Sequence, residues 1–289
     1  MKNEKGWVLG LIAVTILWGW SFAAIHQALQ ELSASTFNAY RFIVGATVML
    51  PFVVKKIIHS TRLDWSMGSL AGLVLFLAFT FQTSGIIYTT ASNAAFITGL
   101  AVIFTPFLAK VLLKEQPRRQ QIIGAVLAAV GLAMLTIKNL SVHLGDALIL
   151  VCAIFTALHI IVLAKVSKNH DVALLAFIQV LVVAMLSMLW AYMAGQVTLP
   201  HMPQTYSTIM ITGIAGTAIA YFVQTKAQVN TAPNKIALII VLEPLFGGLF
   251  GYLLAGDRLT TFNVFGALLI IIAMVITEIK VNKTNNLLS

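Results

Sequence analysis

A chain of 289 residues that is 60% hydrophobic and only 9% charged has too little charge to cover a soluble domain of its size. A mean hydropathy of +0.95 excludes a disordered chain. The net charge of +9 is not a nucleic-acid signal, because the basic residues lie in short gaps between apolar runs and nowhere interleave with exposed aromatics.

A helix needs about 20 apolar residues to cross a bilayer. Gly6 to Gln30 holds no Asp, Glu, Lys or Arg and follows Lys2 and Lys5. Its length favours a retained span over a cleaved signal peptide. In chain order the expected spans are 7–27, 36–54, 67–88, 93–113, 120–137, 146–164, 172–194, 206–226, 235–255 and 260–279. Two long uncharged stretches divide at polar breaks, one at Thr89-Thr90-Ala91-Ser92-Asn93 and one between Gln196 and Thr205, with Pro200 and Pro203. Backbone in lipid must bond to itself, so the spans are helices, and the period-two pattern of a barrel is absent. The expected fold is an all-α membrane protein of ten transmembrane helices.

Loop charge tests that count. With the N-terminus inside, the inner segments collect Lys2, Lys5, Lys55, Lys56, Arg62, Lys110, Lys114, Arg118, Arg119, Lys165, Lys168, Lys226, Lys235, Lys280 and Lys283. The outer segments hold Lys138 and Arg258. One miscounted helix would reverse every later loop, so this bias supports ten spans with both termini cytoplasmic.

The chain also repeats. Leu112-Leu113-Lys114-Glu115-Gln116 followed by Gly124-Ala125 matches Leu253-Leu254-Ala255-Gly256-Asp257 followed by Gly266-Ala267. Thr90-Ala91-Ser92-Asn93 matches Thr231-Ala232-Pro233-Asn234 at the same offset of 141 or 142 residues. Pro106 and Pro244 fall in the fourth and ninth spans and have structural roles. The halves are expected at 1–141 and 142–289. Five helices per copy is odd, so the second copy inserts upside down. Inverted repeats of this kind build secondary transporters with a site near the midplane.

Polar residues inside spans are the candidates for that site. Glu243 is the one acid at mid-span, where a charge costs about 2.5–3.5 kcal/mol and must face protein or water. It reads either as a proton or substrate-ammonium site or as a structural carboxyl beside Pro244. Arg41, roughly 8 Å into the second span at about 1.5 Å per residue, reads mainly as a structural tie or a snorkelling side chain. A bidentate carboxylate site is its alternative reading. Trp18 and Ser21 share a helical face that excludes Trp20, which makes them cavity candidates, with aromatic packing against the next helix as the alternative reading. Gln82, Tyr88, Asn93, His159, Tyr221 and Gln224 complete the substrate-binding candidates. For His159 an interhelical hydrogen bond, and for Asn93 and Asn234 helix capping, are the plainer readings. Cys152 reads as a small core residue, and the GxxxG spacing of Gly247 and Gly251 as helix packing.

Leu17-Trp18-Gly19-Trp20-Ser21-Phe22, Asn38-Ala39-Tyr40-Arg41-Phe42, the Lys114-Glu115-Gln116 turn and Leu242-Glu243-Pro244 together resemble the EamA-type transporters of the drug/metabolite superfamily. The resemblance spans nearly the whole chain. It implies a ten-helix carrier of the bacterial inner membrane with a cavity between its halves, moving amino acids and other small metabolites, often outward. Asp257 stands where the family usually has glutamate, an acid-for-acid change in a loop.

An enzyme is disfavoured, because no intramembrane Asp pair and no Ser-His or His-Glu arrangement occurs. No filter sequence suggests a channel, and no phosphate-binding loop suggests an ATP-driven pump. Neither a cofactor nor a metal is expected. The expected partners are a small solute and the bilayer, with a monomer or homodimer as the assembly. Proton-coupled efflux of lipophilic or cationic drugs, with Glu243 as shared site, is the alternative function.

Overall fold

The computed structural model describes residues 2–114, 116–138, 141–167, 170–230, 239–240 and 242–278. Glu115, Lys168, Lys235, Lys280, Lys283 and the Thr231–Asn234 half of the repeat match lie outside them.

The helices are α1 (Lys2–Ala28), α2 (Ala34–Ile58), α3 (Arg62–Ile86), α4 (Ala91–Gly99), α5 (Ala101–Leu113), α6 (Arg119–Thr136), α7 (Leu144–Val166), α8 (Val172–Met193), α9 (Pro203–Gly213), α10 (Ala220–Asn230), α11 (Leu242–Leu254) and α12 (Thr261–Glu278). Among the described residues they make ten spans. The fourth is α4 with α5, and the eighth is α9 and α10 joined by a π-helical turn, Ile214–Ile219. Among the described residues one regular element is not helical. Strands β1 (Ile137–Lys138) and β2 (Ser141–Val142) pair antiparallel between the fifth and sixth spans.

Local chemistry sets the boundaries. Ser33 and Thr90 accept hydrogen bonds from Thr36 N–H and Asn93 N–H, capping α2 and α4. Thr61 and Asp64 form a capping box at the start of α3. Asp171 accepts from the Ala173 and Leu174 N–H groups at the start of α8. The cap of α4 is therefore Thr90, and Asn93 sits three residues inside the helix. The fourth span turns at Leu100 for two reasons. Pro106 withholds the N–H that Val102 would otherwise receive, and Gly99 packs so closely on Pro244 that an added Cβ would lie 2.9 Å from that ring.

The packing has the two-fold logic of an inverted repeat. The fifth span packs on the tenth and the second on the seventh, and each of these pairs maps onto itself when the halves exchange. The first span packs on the ninth as the sixth packs on the fourth. The third packs on the seventh as the eighth packs on the second. The outward surface is apolar, with Phe52, Val111, Tyr192, Leu253 and Phe265 exposed, as lipid contact requires.

Hydrogen bonds join the halves at both ends as well as at mid-bundle, where Trp18 and Arg41 bond the eighth span. At the basic end, Lys56 bonds both carboxylate oxygens of Asp171 at 2.8 Å, and His170 pairs with Asp64. At the opposite end, Glu31 accepts from the His201 and Met202 N–H groups, Tyr40 donates to Thr198 O, and Thr36 donates to Gln196 O at 2.6 Å. Asp257 is more than a passive loop acid, because it holds the first turn of α4 through Ser92.

Candidate solute-binding cavity

One cavity sits at mid-bundle, and residues of both halves wall it. The first span contributes Trp18, Ser21, Phe22 and Ile25, and the second contributes Arg41. The third gives Phe79 and Gln82, and the fourth Thr98 and Gly99 around its break. From the other half come Cys152, Thr156 and His159 of the sixth span, Tyr221 and Gln224 of the eighth, and Ile240 and Glu243 of the ninth.

The lining follows the repeat. Gln82 and Gln224 are 142 residues apart, as are Phe79 and Tyr221. Trp18 and His159 are 141 apart. The Phe79 and Tyr221 rings meet with centroids 6.5 Å apart, and Tyr221 also packs on Trp18 at 6.0 Å and on His159 at 6.3 Å. Phe79 therefore completes an aromatic wall around Tyr221. Its offset from Tyr221 was the available sequence signal.

Two residues break the symmetry. Arg41 is only 2% exposed, and its guanidinium lies 4.8 Å from the Phe79 ring centroid. Its Nε donates to Thr217 Oγ1 at 2.9 Å and its Nη2 to Gly216 O at 3.3 Å. It thus ties the second span to the eighth and does not snorkel. Glu243 lines the same cavity and is partly exposed to it. Among the described residues no ion pair joins Arg41 to Glu243, so the two face one space without closing on each other.

His159 is buried, and its Nε2 donates to Gln179 Oε1 at 2.7 Å, the interhelical bond expected of it. Cys152 is buried and touches Thr156. Ser21 donates to Trp18 O at 2.7 Å, so its hydroxyl proton is engaged within its own helix. Among the described residues the buried Gln224 Oε1 and Thr98 Oγ1 have no partner at hydrogen-bond geometry. Tyr88 and Asn93 do not join this cavity. They line a separate, more open depression with His143 at the end opposite the basic one. Pro106 lies in α5, six residues past the break at Leu100, and Pro244 packs on Gly99 at that break. Among the described residues no group of three or more His, Cys, Asp and Glu could hold a metal.

A cavity between two copies of an inverted helical repeat is the architecture of a membrane transporter. The sequence model of the EamA-like transporter family matches residues 5–137 and again 143–279, and the chain belongs to that family. An uncharacterized transporter of Archaeoglobus fulgidus is 31% identical over 273 residues, covering 94% of this chain and 86% of its own length. The uncharacterized transporter YyaM of Bacillus subtilis is 23% identical, covering 99% and 98%. A solved crystal structure of a protein 14% identical superposes with a TM-score of 0.70 over 94% of this chain and 97% of that one, which supports the fold.

Proposed function

We propose that this transporter is a secondary carrier that moves small polar metabolites, amino acids or close relatives, outward across the cell's inner membrane by alternating access. The observation that carries the reading is the pairing of Arg41 and Glu243 in one mid-bundle cavity. A solute that fills the space meets a cation, a carboxyl group, amides and an aromatic wall at once. Among the described residues Gln224 Oε1 and Thr98 Oγ1 are buried without partners at hydrogen-bond geometry, and a polar solute would satisfy them. Glu243 is also the proton site in this reading, because a mid-span carboxyl group with access only through a cavity can exchange its proton with the side to which the cavity opens.

The basic end faces the cytoplasm, which puts both termini there, and the division at 141/142 separates the two repeats. A monomer or homodimer suffices, because the cavity lies within one chain. The aromatic cluster of Trp18, Phe79 and Tyr221 also suits a lipophilic cation, the second reading. Arg41 in the same cavity repels a cation, so the polar-metabolite reading is preferred.

Counterflow in proteoliposomes tests it. Vesicles loaded with a mixture of unlabelled amino acids should accumulate a labelled member of that mixture transiently, and vesicles carrying Glu243→Gln should differ in rate or in pH dependence. No counterflow for any amino acid, with counterflow of a hydrophobic cation, would favour drug efflux.

A further inference from the structure

The eighth span departs from the α-helix at one place, and two other helices use the departure. In an α-helix the Ala220 N–H would bond to Gly216 O. Here it bonds to Ala215 O, five residues back, in the π-helical turn. The Gly216 carbonyl is therefore released sideways. It accepts from Trp18 Nε1 at 2.9 Å and from Arg41 Nη2 at 3.3 Å. The next residue, Thr217, accepts from Arg41 Nε at 2.9 Å and donates to Thr212 O at 2.9 Å. Three spans are joined at two atoms of a single turn.

This arrangement fixes two of the guanidinium nitrogens and leaves the third. Among the described residues Arg41 Nη1 has no hydrogen-bond partner, although the side chain is 2% exposed and lines the cavity. Guanidinium is always charged, so this is a fixed cation in a water-poor space with a donor to spare. The charged groups facing it are few. Glu243 lies across the cavity outside ion-pair distance, and the Phe79 ring covers one face of the guanidinium. The repeat does not supply a second copy, because residues 141 and 142 positions further on are Val182 and Val183.

We infer that Arg41 is the anion-binding group of the cavity, taking a solute carboxylate on Nη1, and that the π-helical turn of Gly216 and Thr217 is the element that positions it. Arg41 touches the solute. Gly216 and Thr217 act through Arg41. The inference rests on the carrier reading and sharpens it, since it requires every transported solute to bear an anionic group and assigns the other pole, Glu243, to whatever cationic group that solute carries. Thr217→Val keeps the side-chain shape and removes the acceptor, and Arg41→Lys keeps the charge and removes the fork.

The test is ligand-induced thermal stabilisation of purified full-length protein with a matched series: leucine, its amine without the carboxylate (isopentylamine) and its acid without the ammonium (4-methylpentanoate), each with its own titration. Leucine or 4-methylpentanoate should stabilise the wild type and isopentylamine should not. Carboxylate affinity should be lost in Arg41→Gln. It should fall roughly tenfold in Thr217→Val, the loss expected for one charge-assisted hydrogen bond, with Arg41→Lys recovering part of what Gln loses. Thr217→Val provides the folded comparison if Arg41→Gln unfolds. Unchanged carboxylate affinity in Thr217→Val and Arg41→Lys would overturn the inference. Stabilisation by the amine alone would overturn it too, while leaving the carrier reading intact. No stabilisation by any of the three would overturn it, and counterflow then decides separately whether the carrier reading stands.

Discussion

Asp257, in the loop after the ninth span, accepts hydrogen bonds from both the backbone N–H (2.7 Å) and the hydroxyl (2.6 Å) of Ser92, at the start of the fourth span. The pair crosses from one half of the protein to the other. It occupies a helix N-terminus, where a carboxylate is favoured by the free N–H groups and by the helix dipole. Both residues are buried.

Asp257→Ala should therefore loosen the end of the bundle opposite the basic end. A buried hydrogen bond to a charged group contributes about 1.5–3 kcal/mol. Amide hydrogen exchange at residues 91–95 should accelerate in the variant, with the amides of the seventh span unchanged. Equal protection in both proteins would mean that Ser92 is held by something else.

Glu31 makes the matching contact at the same end, accepting from the His201 and Met202 N–H groups. The neighbouring Thr205 hydroxyl and the His201 N–H hold its carboxyl below the usual carboxylate range. A lowered folded value means that the contact stabilises fully above the ordinary value of about 4.3 and is lost as pH falls through the folded value. Wild type should be more stable than Glu31→Gln at neutral pH, and the gap should close on acidification below pH 4. Thermal unfolding at several pH values reads this directly, and a gap constant with pH would contradict it.

Gly19 marks a close approach of the first span to the ninth. A Cβ there would lie 2.6 Å from Phe246 Cβ and 2.8 Å from the Gly247 nitrogen. Backbone cannot swing aside as a flexible side chain can. Gly19→Val should cost about 1–3 kcal/mol or more and lower the melting temperature in detergent. Gly6→Val is the control, with nothing within 4 Å of its added Cβ. Equal melting temperatures for the two variants would mean that the first and ninth spans separate readily.

The architecture was legible because membrane constraints act on composition. Charge-free runs, polar breaks and loop charge are local features, and the Thr89–Asn93 break falls at the N-terminus of α4. Much of the cavity was legible too. Trp18, Ser21, Gln82, His159, Tyr221, Gln224 and Glu243 converge, because a polar residue in a span must face the bundle interior. Tyr88 and Asn93 did not converge, being near span ends where loops can satisfy them. The π-helical turn was not legible. It depends on Trp18 and Arg41 arriving from other helices to take the released Gly216 carbonyl. Nor was Asp257, whose partner is 165 residues away.

The most direct test of the carrier account is a metabolite profile of cells and medium, comparing overexpression, Glu243→Gln and deletion in one host. The account predicts that a carboxylate-bearing small metabolite is depleted inside and enriched outside on overexpression, with the effect absent in the deletion and altered in Glu243→Gln. The same metabolite accumulating inside would contradict export. No change in any small metabolite, together with raised resistance to hydrophobic cations, would contradict the account as a whole.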